Sequence, residues 1–131
     1  MADRFYYCKH CHNLIGVIHA SGVVPVCCGE PMTQLVANTV DASKEKHLPV
    51  VQVEEKECGR RVNVSVGSVA HPMTPEHLIE WIYVETCCCG GHRISLSPES
   101  APEAVVVLPT KEKPLAVYAY CNLHGLWKTE L

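Results

Sequence analysis

The sequence predicts an all-β protein in two parts, a small segment organised by thiolates followed by a β-sandwich. Three observations predict this. Val62, Val64 and Val66 alternate with Asn63, Ser65 and Gly67, the period of two expected of a half-buried strand. Short apolar runs recur between Pro and Gly residues, and no long stretch keeps a helical period. Cys8, Cys11, Cys27 and Cys28 are concentrated at the N-terminal end.

Residues 1–37 carry those four thiols. A segment below about 40 residues rarely buries enough surface to fold without a metal, a disulfide or a partner. Residues 38–44 are polar and predict a linker into the second domain, residues 38–131. There Val50–Glu54 is expected to pair with Arg61–Val66 across a turn at Glu57-Cys58-Gly59, with Cys58 a simple turn residue. Ile79, Trp81 and Tyr83 alternate with Glu80 and Ile82, predicting another strand after a Thr-Pro-Glu turn. Ala104–Leu108 and Leu115–Tyr120 complete the set, and several short strands of this kind suggest a β-sandwich.

Composition narrows the function. The chain has 131 residues and a formal charge of −3, so it offers no basic footprint for nucleic acid. No apolar run approaches the roughly 20 residues of a membrane span, and Met1-Ala-Asp-Arg does not resemble a signal peptide. Nine cysteines without an export signal imply metal ligands or redox thiols in a reducing cytoplasm.

Two constellations carry chemistry. Cys8-Lys-His-Cys11 with Cys27-Cys28 is a four-thiolate set for zinc or iron; its plain alternative is a zinc knuckle that only holds the fold. Neighbouring side chains diverge, so Cys27 and Cys28 should open the angle between their sulfurs at a metal. The second constellation is His47, the His71-x₅-His77 pair and Cys121-Asn-Leu-His124. Four imidazoles and a thiolate exceed what tetrahedral zinc needs, and five donors leave an octahedral ion one open position. The turns at Asn122-Gly125 and between Pro72 and Pro75 should aim these side chains inward. His10, His12, His19 and His92 fit surface or core roles, and Trp81 and Trp127 fit core or site-wall roles. In its Gly-rich loop, Cys87-Cys88-Cys89 fits an exposed turn.

The chain resembles the desulfoferrodoxins, the two-iron class of superoxide reductase. The matching pieces are Arg4-Phe-Tyr-Tyr-Cys8-x-x-Cys11, Val26-Cys27-Cys28-Gly29-x-Pro31-Met32 and Glu45-Lys46-His47-x-Pro49. Val66-Gly67-Ser68-x-x-His71-Pro72-Met73, Glu76-His77-x-Ile79-Glu80-Trp81-Ile82 and Tyr120-Cys121-Asn122-Leu123-His124-Gly125-Leu126-Trp127 follow in family order. The resemblance implies a desulforedoxin-like domain binding one iron through Cys8, Cys11, Cys27 and Cys28. It implies an immunoglobulin-like sandwich whose second iron has His47, His71, His77 and His124 in the equatorial plane and Cys121 axial. Haem and flavin are not part of that picture. It further implies one-electron reduction of superoxide to hydrogen peroxide, a homodimer, and rubredoxin or a similar small electron donor. In the family the carboxylate aligned with Glu45 binds the ferric iron. Two departures stand out: His12 occupies a position usually held by Gly, and Cys87-Cys88-Cys89 lies outside the family pattern.

Charge arguments agree with that activity. Ferrous iron with one thiolate and neutral imidazoles keeps a net single positive charge, and Lys46 adds another beside His47, which focuses an anionic substrate. Ferric iron with four thiolates is net negative and coordinatively full, so the first site suits an electron store or relay. In Ser-Lys-Glu-Lys-His, Glu45 and Lys46 are otherwise an ordinary solvated pair. The competing readings are a non-catalytic electron carrier and a superoxide dismutase; oxygen evolution separates the dismutase from a reductase.

Overall fold

Very short strands build the N-terminal part of the molecule. In this computed structural model, which describes residues 5–87 and 90–131, they are β1 (Phe5–Tyr7), β2 (Leu14–Gly16), β3 (Val26–Cys27), β4 (Glu30–Pro31) and β5 (Thr33–Gln34). β1 lies between β2 and β5 in one antiparallel sheet, and β3 pairs with β4. The apolar core here is small: Tyr6, Cys8 and Met32, flanked by Ile15, Val17 and Cys27. So few buried side chains oppose the chain entropy weakly, which makes a metal cross-link part of the fold. The chain divides into this unit, Met1–Val36, and a larger one, Ala37–Leu131.

The larger unit contains α1 (Lys44–His47), β6 (Pro49–Lys56), β7 (Gly59–Val66), β8 (Ile79–Thr86), β9 (Gly90–Ser95), β10 (Glu103–Pro109), β11 (Pro114–Cys121) and β12 (Gly125–Glu130). One sheet has the order β10-β7-β6 and the other β12-β11-β8-β9. The expected hairpin is present, with Val50 opposite Ser65 and Glu54 opposite Arg61. Gly59 follows its turn at φ +146, and a Cβ there would lie 2.1 Å from the Leu108 carbonyl oxygen on the neighbouring strand β10. Val62, Val64 and Val66 face inward to meet Ile79, Ile82 and Val84 of β8 and Val117, Ala119 and Cys121 of β11. These are the two inner faces of a sandwich.

The strict alternation expected across Ile79–Tyr83 does not hold. Ile79 and Ile82 both join the core, and the register of β8 against β11 shifts between Tyr120 and Cys121. This irregularity turns Trp81 to the other face, where it stacks on Tyr120 at 5.6 Å. It also places Cys121, fully buried, at the end of β11.

The run 38–44, expected as a linker, is anchored at its first residue. The Asn38 side chain mimics a paired strand residue: Nδ2 donates to the Lys128 carbonyl at 3.1 Å and Oδ1 accepts from Lys128 N at 2.8 Å. Its main-chain N donates to Leu126 O at 3.0 Å. From that anchor the chain runs into the single turn of α1. Gly67 lets this turn approach closely, since a Cβ would stand 2.6 Å from the Glu45 carbonyl oxygen. Cys88 and Cys89 lie outside the described residues, and Cys87 is exposed.

Candidate metal centres

Two groups of donors converge in the described residues, one in each unit. The first is Cys8, Cys11, Cys27 and Cys28. The β3–β4 turn delivers the second pair through two left-handed residues, Cys28 (φ 52) and Gly29 (φ 76). The Sγ atoms of Cys11 and Cys27 are 3.6 Å apart, and those of Cys27 and Cys28 are 4.0 Å apart. Tetrahedral ligands with metal–sulfur bonds of about 2.3 Å stand about 3.8 Å from one another, so the spacing fits one ion. The backbone N–H of Cys11 leads in lowering the Cys8 thiol to about 6, whereas neighbouring sulfurs, Cys11 first, push Cys28 up to about 12. Such mutual opposition among thiolates is relieved by a shared cation. His12 takes φ 68, in the left-handed region that favours glycine, and its Nδ1 lies 2.5 Å from the Tyr7 hydroxyl.

The second group gathers His47 from α1, His77 from the turn before β8, and Cys121 and His124 from the β11–β12 turn. Their donor atoms all lie within 4.8 Å of one another. His71 adjoins it, with Nε2 3.2 Å from His47 Nε2. The four imidazoles form a closed cycle of edge contacts: His47–His71 at 4.7 Å, His71–His77 at 4.6 Å, His77–His124 at 5.1 Å and His124–His47 at 4.9 Å between centroids. Cys121 Sγ lies 3.8 Å from His124 Nδ1. The arrangement is a square of rings with a sulfur beside it.

Hydrogen bonds decide which nitrogens face inward. His47 Nδ1–H donates to the Ser43 carbonyl at 2.6 Å, and His71 Nδ1–H donates to the Pro72 carbonyl at 2.7 Å. Carbonyls only accept, so both Nε2 atoms present lone pairs to each other. Protonating His71 would relieve that repulsion, but burial leads in lowering its pKa to about 4. Burial likewise lowers His47 and His77. The Nε2 of His77 is buried and has no hydrogen-bond partner. Lone pairs 3.2 Å apart and an orphaned ring nitrogen suit a transition-metal ion, since cis donors at about 2.1 Å from a metal are about 3.0 Å apart. Trp127 completes the wall: its ring stacks on His47 at 4.9 Å, and Nε1 donates to the His124 carbonyl at 3.1 Å.

A cavity of about 260 Å³ opens onto this centre, lined by Asp41, Ala42, Ser43, Lys46, His47, His71, Pro72, His77 and His124. Lys46 is therefore in the wall. Glu45 is not; its backbone carbonyl accepts from Ser68 Oγ at 3.2 Å and from Val69 N at 3.0 Å. Sequence reasoning missed Asp41 and Ser43, because a polar run beyond a cysteine-rich segment carries no sign that Asn38 anchors it.

Fold and donor sets together define a β-sandwich metalloprotein with a histidine–thiolate centre, extended by a small tetrathiolate unit. The chain belongs to the desulfoferrodoxin family, whose sequence profile matches residues 39–130. It is 48% identical to the desulfoferrodoxin of Syntrophotalea carbinolica, over 99% of both chains. It is 38% identical to a superoxide reductase of Pyrococcus horikoshii, over 70% of this chain and 90% of that one. Among solved structures, the superoxide reductase of Treponema pallidum aligns over 97% of this chain and 98% of its own, with a TM-score of 0.77 and 39% identity.

Proposed function

We propose that this protein is a superoxide reductase in which His47, His71, His77, His124 and Cys121 hold the reactive iron, while Cys8, Cys11, Cys27 and Cys28 hold a second iron that stores or relays electrons. The observation that carries the reading is the square of four imidazoles beside the Cys121 thiol, opening to a solvent-facing cavity. Iron held by these five residues would supply the one electron that superoxide needs. Each superoxide takes that electron and two protons to become hydrogen peroxide.

The chain's own residues make this selective. Neutral imidazoles cancel none of the metal's charge, so a ferrous centre with the single Cys121 thiolate would keep a net single positive charge. The Lys46 ammonium in the cavity wall draws the anion inward. Asp41, in the same wall, opposes it. Trp127 and the sandwich core cover the buried side of the centre, while the cavity admits water as the proton source. Glu45 shares the Lys46 turn and is the candidate carboxylate for the oxidised centre; its side chain must change conformation to reach the cavity.

Electrons come from rubredoxin or a similar small carrier, and the protein works as a cytoplasmic homodimer. Among the described residues no helix is long and apolar enough to cross a membrane. Metal analysis with anaerobic pulse radiolysis tests the function. The expected result is about two irons per chain and peroxide formed without oxygen. Zinc in the histidine–thiolate centre of protein from its native cells, or oxygen evolved with the peroxide, would overturn it.

A further inference from the structure

His77 is held differently from His47 and His71. His47 and His71 have their rings fixed by Nδ1–H bonds to carbonyls. The His124 ring has Nδ1 3.1 Å from His47 Nε2. The ring of His77 has no such support among the described residues, and its Nε2 is buried without a partner. Its direction must come from its backbone. One clamp is local: Thr74 Oγ1 accepts from His77 N at 3.0 Å, and Thr74 N donates to His77 O at 3.0 Å.

The other clamp crosses from the opposite turn. Asn122 Nδ2 donates to the Glu76 carbonyl at 2.9 Å, and Oδ1 accepts from Leu78 N at 3.0 Å. Its main-chain N also donates to Leu78 O at 3.3 Å. One side-chain amide thus bonds the residue before His77 and the residue after it. The same Asn122 lies between Cys121 and His124 in the chain. We propose that Asn122 is a positioning residue that sets the direction of the His77 imidazole relative to Cys121 and His124, an assignment resting on the reading of these five residues as one metal centre.

The chemistry requires an amide. Two antiparallel bonds fix a peptide segment in both position and rotation, and only a side chain with a donor and an acceptor on one carbon makes both. Aspartate keeps the acceptor for Leu78 N–H and loses the donor to Glu76; alanine loses both. Groups that orient metal-bound histidines typically govern metal affinity by about 10- to 100-fold.

The test uses the full chain, stripped of metal and titrated with cobalt(II) against a chelator, followed by visible absorption. Wild type, Asn122→Ala, Asn122→Asp, His77→Ala and the double variant Asn122→Ala/His77→Ala are compared, with the four-cysteine centre as internal reference. Asn122→Ala should weaken cobalt at the histidine–thiolate centre by about 10- to 100-fold and shift its bands, leaving the reference unchanged; Asn122→Asp should fall between. If Asn122 acts through His77, the double variant should bind within about twofold of His77→Ala alone. Fully additive losses, or wild-type affinity and spectrum in Asn122→Ala, would overturn the assignment. Should Asn122→Ala not fold, the Asn122→Asp/His77→Ala cycle gives the same comparison. A His77→Ala protein with unchanged affinity and spectrum would instead show that the five residues are not one centre, and the role of Asn122 would fall with it.

Discussion

Lys46 and Asp41 face one cavity with opposite charges, and their substitution should move the reaction with superoxide in opposite directions. Neither is among the converging donor residues, so both variants should keep their iron. Lys46→Ala removes attraction for an anion and should slow the bimolecular step by about 10-fold, the low end of electrostatic focusing, because the ferrous centre keeps its own positive charge. Asp41→Asn removes repulsion and should quicken it a few-fold. Screening acts over about 8 Å at physiological ionic strength, so added salt should slow the wild type, slow Lys46→Ala less, and slow Asp41→Asn more. Pulse radiolysis across a salt series measures all three. Equal rates with equal salt slopes would show that neither charge steers the substrate. Lys46 could be found from its place beside His47 in Glu-Lys-His-x-Pro, whereas Asp41 could not, because nothing local marks it.

Strands whose inner faces are valine, such as β7, announce themselves by alternation; elements held by side-chain-to-backbone bonds do not. The polar run 38–44 suggests a linker because its order comes from Asn38 pairing with β12, a contact between residues ninety positions apart. The four-residue α1 is too short to show a period, and its close approach depends on Gly67. In β8 the expected alternation fails at a bulge that depends on β11 as well as β8. A further tie of this kind is Glu112, a buried carboxylate in the β10–β11 connection. It accepts from Thr86 Oγ1 at 2.7 Å and bonds His92 Nε2 at 2.8 Å, joining the ends of β8 and β9 to that connection. The Thr86 hydroxyl first, and then His92, hold its pKa below the ordinary 4.5. A depressed folded-state pKa gives stability that is present above the ordinary carboxyl value and lost as pH falls through the folded one. Glu112→Gln should therefore cost about 1.5–3 kcal/mol at pH 7, the scale of a charge-assisted hydrogen bond, and the gap to wild type should narrow below about pH 4.5. Parallel urea melts at pH 7 and pH 3 measure it; a gap independent of pH would mean the carboxylate charge contributes nothing.

Over the whole molecule, two units with separate cores and separate donor sets imply a division of labour that mutation can expose. The small unit has little apolar core, so its four-cysteine iron is both cofactor and cross-link. The sandwich has a continuous core running from β7 to β11 and does not depend on its iron in the same way. Cys11→Ser should therefore lose the first iron and disorder the β1–β5 region, while the reduced second centre still reacts with superoxide at close to the wild-type rate in a single turnover. Sustained turnover with an external donor should fall in that variant if the first iron relays electrons, and stay level if it only stores them. Cys121→Ser should do the reverse. Burial raises the Cys121 thiol, so its thiolate is stable there only against a cation, and serine supplies a far weaker anionic donor. The four-cysteine absorption should persist in that variant, the single-turnover reaction should collapse, and the potential of any iron retained in the second centre should rise. Optical spectra, iron counts and pulse radiolysis on the two proteins separate these outcomes. A Cys11→Ser protein that keeps its second iron yet no longer reacts with superoxide would show that the two centres work as one, and the assignment of chemistry to the sandwich alone would fail.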